Sequence, residues 1–253
     1  MLVVISILGI LAGLTVPALK NLGKSNAAAS ASRQLLDAVG HARQLAIANR
    51  TTVYLVFVPT NFWLPPFTSS INWTNLPPAQ LAVAVNLCDK QLSGYTFVSQ
   101  GAVGDQPGQH AWHYLEPWRA LPDGAFIAPW KFISNAQSFT VQSYSPAVPI
   151  YGFATNNIPF PTETAGGVWL PSIAFNYLGQ LTTDGQNPAG RDEYIPLARG
   201  SVYPALDPSS KTLQFNSPSV SEMPPGNSTN SAFNIVDIDP LTGRATLRFQ
   251  QVQ

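Results

Sequence analysis

Three hydropathy patterns follow one another along the chain. The first is Met1–Leu19, MLVVISILGILAGLTVPAL, a run without a single charge. At about 1.5 Å per residue a helix of that length crosses the hydrocarbon core of a bilayer. The second runs from Ser25 to Asn49, where apolar positions recur at helical spacing. Ala28, Ala31, Leu35, Val39, Ala42 and Ala46 fall on one stripe, with Arg33, Asp37 and Gln44 opposite. Arg33 with Asp37, and Asp37 with His41, stand four apart and support that helix modestly. Together the two patterns predict one long helix over residues 1–50, half in lipid and half outside. The small residues on its outer stripe leave room for a sheet to pack closely.

From Thr51 onward the pattern is that of strands and turns. Thr51–Val58 (TTVYLVFV) reads as a buried strand that Pro59 ends. Thr60–Pro78 is rich in Pro, Asn and Trp and predicts a loop; Ala79–Leu92 predicts a short helix after Pro77-Pro78. Gly94–Gln100, Ala111–Leu115, Ala125–Ala128 and Phe139–Tyr144 are strand candidates, and Ser145–Gly167 is a further Pro- and Asn-rich stretch without helical period. Ser172–Tyr177 predicts a strand before Gly179, and Asp192–Arg199 a short strand before Gly200. Phe233–Asp239 and Arg244–Gln250 flank Asp239-Pro240-Leu241-Thr242-Gly243, a hairpin signal in which Gly243 supplies a positive φ. Ile235, Val236, Ile238, Ala245, Leu247 and Phe249 are its expected packing residues, with Asp237 and Asp239 exposed.

A secretory signal peptide competes for the first segment, and the small residues of Asn26–Ser32 offer a cleavage site. Against it, no basic residue precedes the run, and positive charge appears only at Lys20 and Lys24. Those lysines are expected at the membrane edge. Gly9 and Gly13 make a Gly-x-x-x-Gly spacing that lets two helix backbones approach in lipid, and Pro17 bends or loosens the helix. The competing reading is that glycine is simply common in membrane helices.

The apolar stretch Met1-Leu2-Val3-Val4-Ile5-Ser6-Ile7-Leu8-Gly9-Ile10-Leu11-Ala12, with Pro17 at the place of a helix-bending proline, resembles the N-terminal helix of type IV pilins and type II secretion pseudopilins. The leader, the processing site and the glutamate of that family are not among these residues, so the sequence reads as starting at an internal Met. The family's processing and N-methylation therefore have no residues here to act on. A basic leader ending in Gly, then an aromatic residue and a glutamate upstream of Met1, is the genomic feature that would favour the resemblance. Ile173, Phe175 and Gly179, followed by Thr242, Gly243 and Arg244, resemble the ending of H-type (FimT-like) minor pseudopilins, where a strand of the form I-x-F-x-x-x-G precedes a final hairpin ending in Thr-Gly-Arg. The middle of the chain, residues 60–167, matches no pattern of that group.

Composition narrows the function classes. Charged residues are 10% of the chain, far below the roughly 25% of ordinary soluble domains. Thirteen basic and thirteen acidic residues leave no net charge, and no basic patch points to nucleic acid. Cys88 is the one cysteine, which excludes an intrachain disulfide and fits a small buried apolar residue. His110, His113 and Glu116 could ligate a metal only if the segment were helical, and it reads as loop or strand. Asp184, Asn187, Asp192 and Glu193 make an oxygen-rich stretch of the kind that takes calcium, with a solvated turn as the alternative. Phe62, Trp63, Phe67, Trp73, Trp112, Trp118 and Trp130 either cover a core or form a contact surface, and the low charge content favours the core. No motif for nucleophilic, phosphate or dinucleotide chemistry is present.

The sequence thus predicts an α+β, pilin-like fold: a long N-terminal helix packed on an antiparallel β-sheet with long loops. Residues 1–24 form the transmembrane or filament-core helix, and 25–253 the extracytoplasmic domain (25–50 amphipathic helix, 51–253 mostly strands and loops). The resemblance implies a bacterial, non-enzymatic minor subunit of a type II secretion pseudopilus or type IV pilus. Such a subunit is held in the inner membrane by one pass with its domain in the periplasm. Its partners are other pilin or pseudopilin subunits, through Gly9, Gly13 and Pro17 of the helix. No cofactor is implied beyond the calcium considered above. The rival readings are a membrane-tethered protein that binds a glycan or surface polymer without assembling, and an anchored hydrolase.

Overall fold

Val53, Leu55 and Phe57 alternate with Tyr54, Val56 and Val58, and all six are buried. A strand that is apolar on both faces needs cover on both, and that requirement sets the architecture. The computed structural model describes residues 27–68, 72–101, 105, 111–133, 138–141, 148–229 and 234–248. They form helix α1 (27–49), β1 (Thr52–Phe57), α2 (Pro78–Leu87), β2 (Gly94–Gln100), β3 (Trp112–Tyr114), β4 (Arg119–Ala120) and β5 (Ala125–Ile127). There follow β6 (Ser138–Val141), β7 (Val148–Tyr151), β8 (Ala154–Pro159), β9 (Gly167–Phe175) and β10 (Leu181–Thr182). The last elements are β11 (Glu193–Tyr203), β12 (Ser219–Glu222), β13 (Asn234–Ile238) and β14 (Ala245–Arg248).

The pairing is antiparallel throughout. One sheet runs β10-β9-β1-β2-β3, with β4 also on β2 and β8 on β9. A second runs β12-β11-β13-β14, with β5 also on β11, and β6 with β7 makes a small third. β1 sits at the centre of the first sheet, with Leu55 opposite both Phe97 and Ile173.

This corrects the fold class expected from the sequence. The protein is mostly β-sheet, its sheets curve into a half-barrel, and its described helices are short, the N-terminal one spanning 23 residues. The physical reason lies in the 60–167 region and beyond. Strands there pair over long sequence distances into a second sheet, so the helix is one element among many and not the spine of the fold. The core is shared: Ala31, Leu35, Val39, Ala42 and Ala46 of α1 cluster with Leu55 and Phe97 of the first sheet and with Ile195, Val236 and Ile238 of the second. The other face of the first sheet is covered by α2 and the 60–78 segment, through Phe62, Trp73, Ala84, Leu87 and Cys88 against Tyr54, Val56 and Val98.

Local expectations differ in smaller ways. The predicted helix over Ala79–Leu92 is α2 followed by a 3-10 turn at Cys88–Lys90. Ser145–Gly167 holds β7 and β8, the latter pairing from Ala154↔Ser172 to Pro159↔Gly167. Asp237, expected at the surface, is buried between β11 and β14 and is ion-paired with Arg248 at 2.5 Å. The pairing keeps a buried charge tolerable. Burial still pushes the Asp237 carboxyl up, while Arg248 opposes the shift.

Candidate functional site

Three segments that are remote in sequence meet at two glycines. The turn after β9 is built by Asn176, whose Oδ1 accepts hydrogen bonds from the Leu178 and Gln180 backbone N–H groups, both at 3.0 Å. Gly179 follows at φ 77°, its N–H bonded to the Asn176 carbonyl. The turn between β13 and β14 is built by Asp239, whose Oδ1 accepts from Thr242 N–H at 2.7 Å and Thr242 Oγ1 at 2.8 Å. These bonds hold the Asp239 carboxyl below the usual carboxylate range. Gly243 closes that turn at φ 62°. The two turns press together so closely that a Cβ on Gly243 would lie 2.0 Å from the Gly179 carbonyl oxygen.

The last turns of α1 complete the junction. A Cβ on Gly179 would stand 2.7 Å from Ile47 Cδ1 and 3.0 Å from Arg43 Cγ. Arg43 Nε donates to the Thr242 carbonyl at 2.8 Å, and Leu181 N–H donates to the Pro240 carbonyl at 3.0 Å. So Gly179 is brought against Gly243, Arg43 ties the Thr242 turn to α1, and Ile173 and Phe175 lie in the core. Arg244 is exposed just before β14.

Side chains beside this junction are unlike those of ordinary turns. Leu178 is 56% exposed, Leu241 62%, Tyr177 53% and Ile47 41%. Sequence reasoning missed them. The signal was available: a Tyr-Leu pair before Gly179 and a Leu before Thr242-Gly243 occupy turn positions that polar residues normally take.

The other expected sites disperse. Asp184 accepts from Thr182 Oγ1, from Gln186 and Asn187 N–H and from Asn187 Nδ2, all between 2.8 and 3.0 Å. Those bonds hold its carboxyl well below the usual range. Asp192 accepts from Tyr194 OH at 3.0 Å, and Glu193 binds buried Lys131. Among the described residues no group of three His, Cys, Asp or Glu side chains is placed to hold a metal.

Glu116 binds His41 at 2.8 Å and Arg119 at 3.0 Å, so His41 turns to the sheet and not to Asp37. These groups line a polar cleft of about 740 Å³ along α1. His113 lies between Asp105, 3.0 Å from Nε2, and Glu163, 3.1 Å from Nδ1. Only an imidazolium donates from both nitrogens, and the two carboxylates raise the His113 pKa. His110 lies outside the described residues.

No family model, curated protein or solved structure matches this chain.

Gly9, Gly13 and Pro17, with the whole apolar run, lie outside the described residues. Among those described, no helix is long and apolar enough to cross a membrane. The aromatics divide toward the core. Phe62 and Trp73 are buried, while Trp63, Phe67, Trp112 and Trp118 are half-buried against the same cluster. Trp130 is half-buried and donates its Nε1–H to the Ser228 carbonyl at 2.9 Å. Cys88 is buried, and its thiol is pushed up to about 12 by burial.

Proposed function

We propose that the chain is a structural subunit of a membrane-rooted filament, a minor pseudopilin or pilin-like subunit of a type II secretion pseudopilus or type IV pilus. One observation carries the reading. The charge-free Met1–Leu19 run is followed within ten residues by α1, whose stripe Ala31, Leu35, Val39, Ala42 and Ala46 is 0% exposed. Whatever holds the apolar run thereby holds the folded body. An apolar helix is stable both in lipid and against like helices, so one segment serves storage in the membrane and assembly into a fibre. The meeting of Gly179 with Thr242-Gly243 supports the H-type resemblance, because its two sequence pieces form one contact.

The rival, a tethered polymer-binding protein, has less support. Its aromatic platform would come from the tryptophans of the 60–130 region, of which Trp73 is buried and Trp63, Trp112, Trp118 and Trp130 are half-buried. In the favoured reading the domain is periplasmic, the anchor is a single inner-membrane pass, and the partners are subunits bearing similar helices. Carbonate extraction of cells producing the full chain tests the anchor: the protein should stay in the membrane pellet. Recovery in the soluble fraction would overturn the reading.

A further inference from the structure

Of the ten residues of α2 only Gln80 and Asn86 are polar, and a helix apolar on every side needs cover on every side. The first sheet covers one side, through Ala84 and Leu87. On another, Val83, Leu87 and Lys90 follow one another at helical spacing along α2 and the turn after it, and they form one wall of a groove of about 540 Å³. Leu115, Trp118 and Pro161 line the groove from the sheet and the loop after β8. A groove of that size takes a small molecule.

Two polar groups on these walls have nothing to bind. Thr162 Oγ1 is buried without a hydrogen-bond partner. Lys90 is ion-paired with no carboxylate among the described residues. Glu163 is held by His113 and the Tyr114 backbone N–H, and Glu116 by His41 and Arg119. A buried hydroxyl left unpartnered is costly, and an ammonium at the end of an apolar groove is matched by an anion with an apolar body. The aromatic polar tips, by contrast, are already used. Trp118 Nε1–H donates to the Pro161 carbonyl at 3.2 Å, and Tyr114 OH donates to the Pro159 carbonyl. That leaves too few donors and acceptors for a peptide backbone or a sugar ring. The row from Lys90 to Val83 is about 10 Å long at 1.5 Å per residue, so the body it fits is elongated.

We propose that this groove binds an aliphatic carboxylate of medium chain length. Lys90 and Thr162 take the carboxylate, and the chain lies along Leu87 and Val83. The site is built from the folded body alone and does not rest on the filament reading.

Photolabelling of the full chain in lipid nanodiscs tests this, with octanoate carrying a terminal diazirine as the probe. Mass spectrometry of the digest should place the label on residues 83–90 and 115–118. Excess octanoate should remove that label, and excess octanol, which has the chain without the charge, should leave it. Lys90→Met keeps the apolar stem and should lower the labelling about tenfold, the worth of one charge-assisted hydrogen bond. Val83→Trp fills the groove and should abolish it. Thermal melts of both variants show whether they keep the fold of the parent, and the octanol comparison needs no variant at all. Label spread along the chain without enrichment at these residues would overturn the proposal. So would competition by octanol as strong as by octanoate, or undiminished labelling of a folded Lys90→Met.

Discussion

At Gly243 a side chain has nowhere to go: the φ of 62° is costly for any β-branched residue, and the Gly179 carbonyl fills the space. The left-handed conformation alone costs about 1–2 kcal/mol, and the steric contact adds to it by parting two turns. In a domain of this size 1 kcal/mol moves Tm by about 2–4 °C. Gly243→Val should therefore lower Tm by at least about 4 °C in a thermal melt. A melt unchanged from the parent would mean that the two turns do not touch. His113 has the opposite kind of tuning. Its pKa is raised in the fold, so its contribution to stability is full below the ordinary histidine range, near 6.5, and fades as pH rises through the raised value. Urea unfolding of the parent and His113→Gln should show a gap at pH 5.5 that shrinks by pH 9. An equal gap at both would mean that no imidazolium joins Asp105 to Glu163.

α1 contributes one buried stripe to a core that both sheets share. Leu35 is the largest side chain of its buried stripe and touches a core made by both sheets. Leu35→Ala should cost about 2–5 kcal/mol, because the surrounding strands cannot collapse into the space. Denaturant unfolding gives the number, and a loss under 1 kcal/mol would place the stripe at the surface. This stripe was legible from spacing alone, as were β1, β2 and the closing hairpin, because each is written in a local apolar period or a Gly-bearing turn. The assembly of the second sheet was not legible, although Ala125–Ala128, Asp192–Arg199 and the closing hairpin were expected as strands. β11 runs Glu193–Tyr203, through Pro196 and Gly200, and it pairs with strands far before and after it. β8 carries Asn156, Asn157 and Pro159, residues that read as loop, yet it is a strand because β9 offers it an edge. Lys131 carries no sequence signal of burial at all. It is buried because Glu193 and the Tyr151 carbonyl accept its ammonium protons beside the Phe153 ring. The dispersal of Asp184, Asp192 and Glu193 has the same origin. Nearness in sequence says nothing of which side of a turn each carboxylate takes.

At the scale of the whole molecule the charge-free run Met1–Leu19 and the folded body differ in their chemistry. Gly9→Leu with Gly13→Leu should reduce cross-linked oligomers in membranes, since bulky side chains hold helix backbones apart, while the folded body melts as before. Oligomers formed as well as in the parent would place the helix contact elsewhere. The seating of α1 has a mechanical consequence too. Tension applied at residue 27 runs along the helix axis and loads its side-chain contacts in shear, all at once, instead of peeling them one by one. The Arg43–Thr242 bond lies near the far end, so it is strained only when the whole rod slips. A chain drawn by its N-terminal side should thus resist extraction of α1 far better than one gripped at a surface loop.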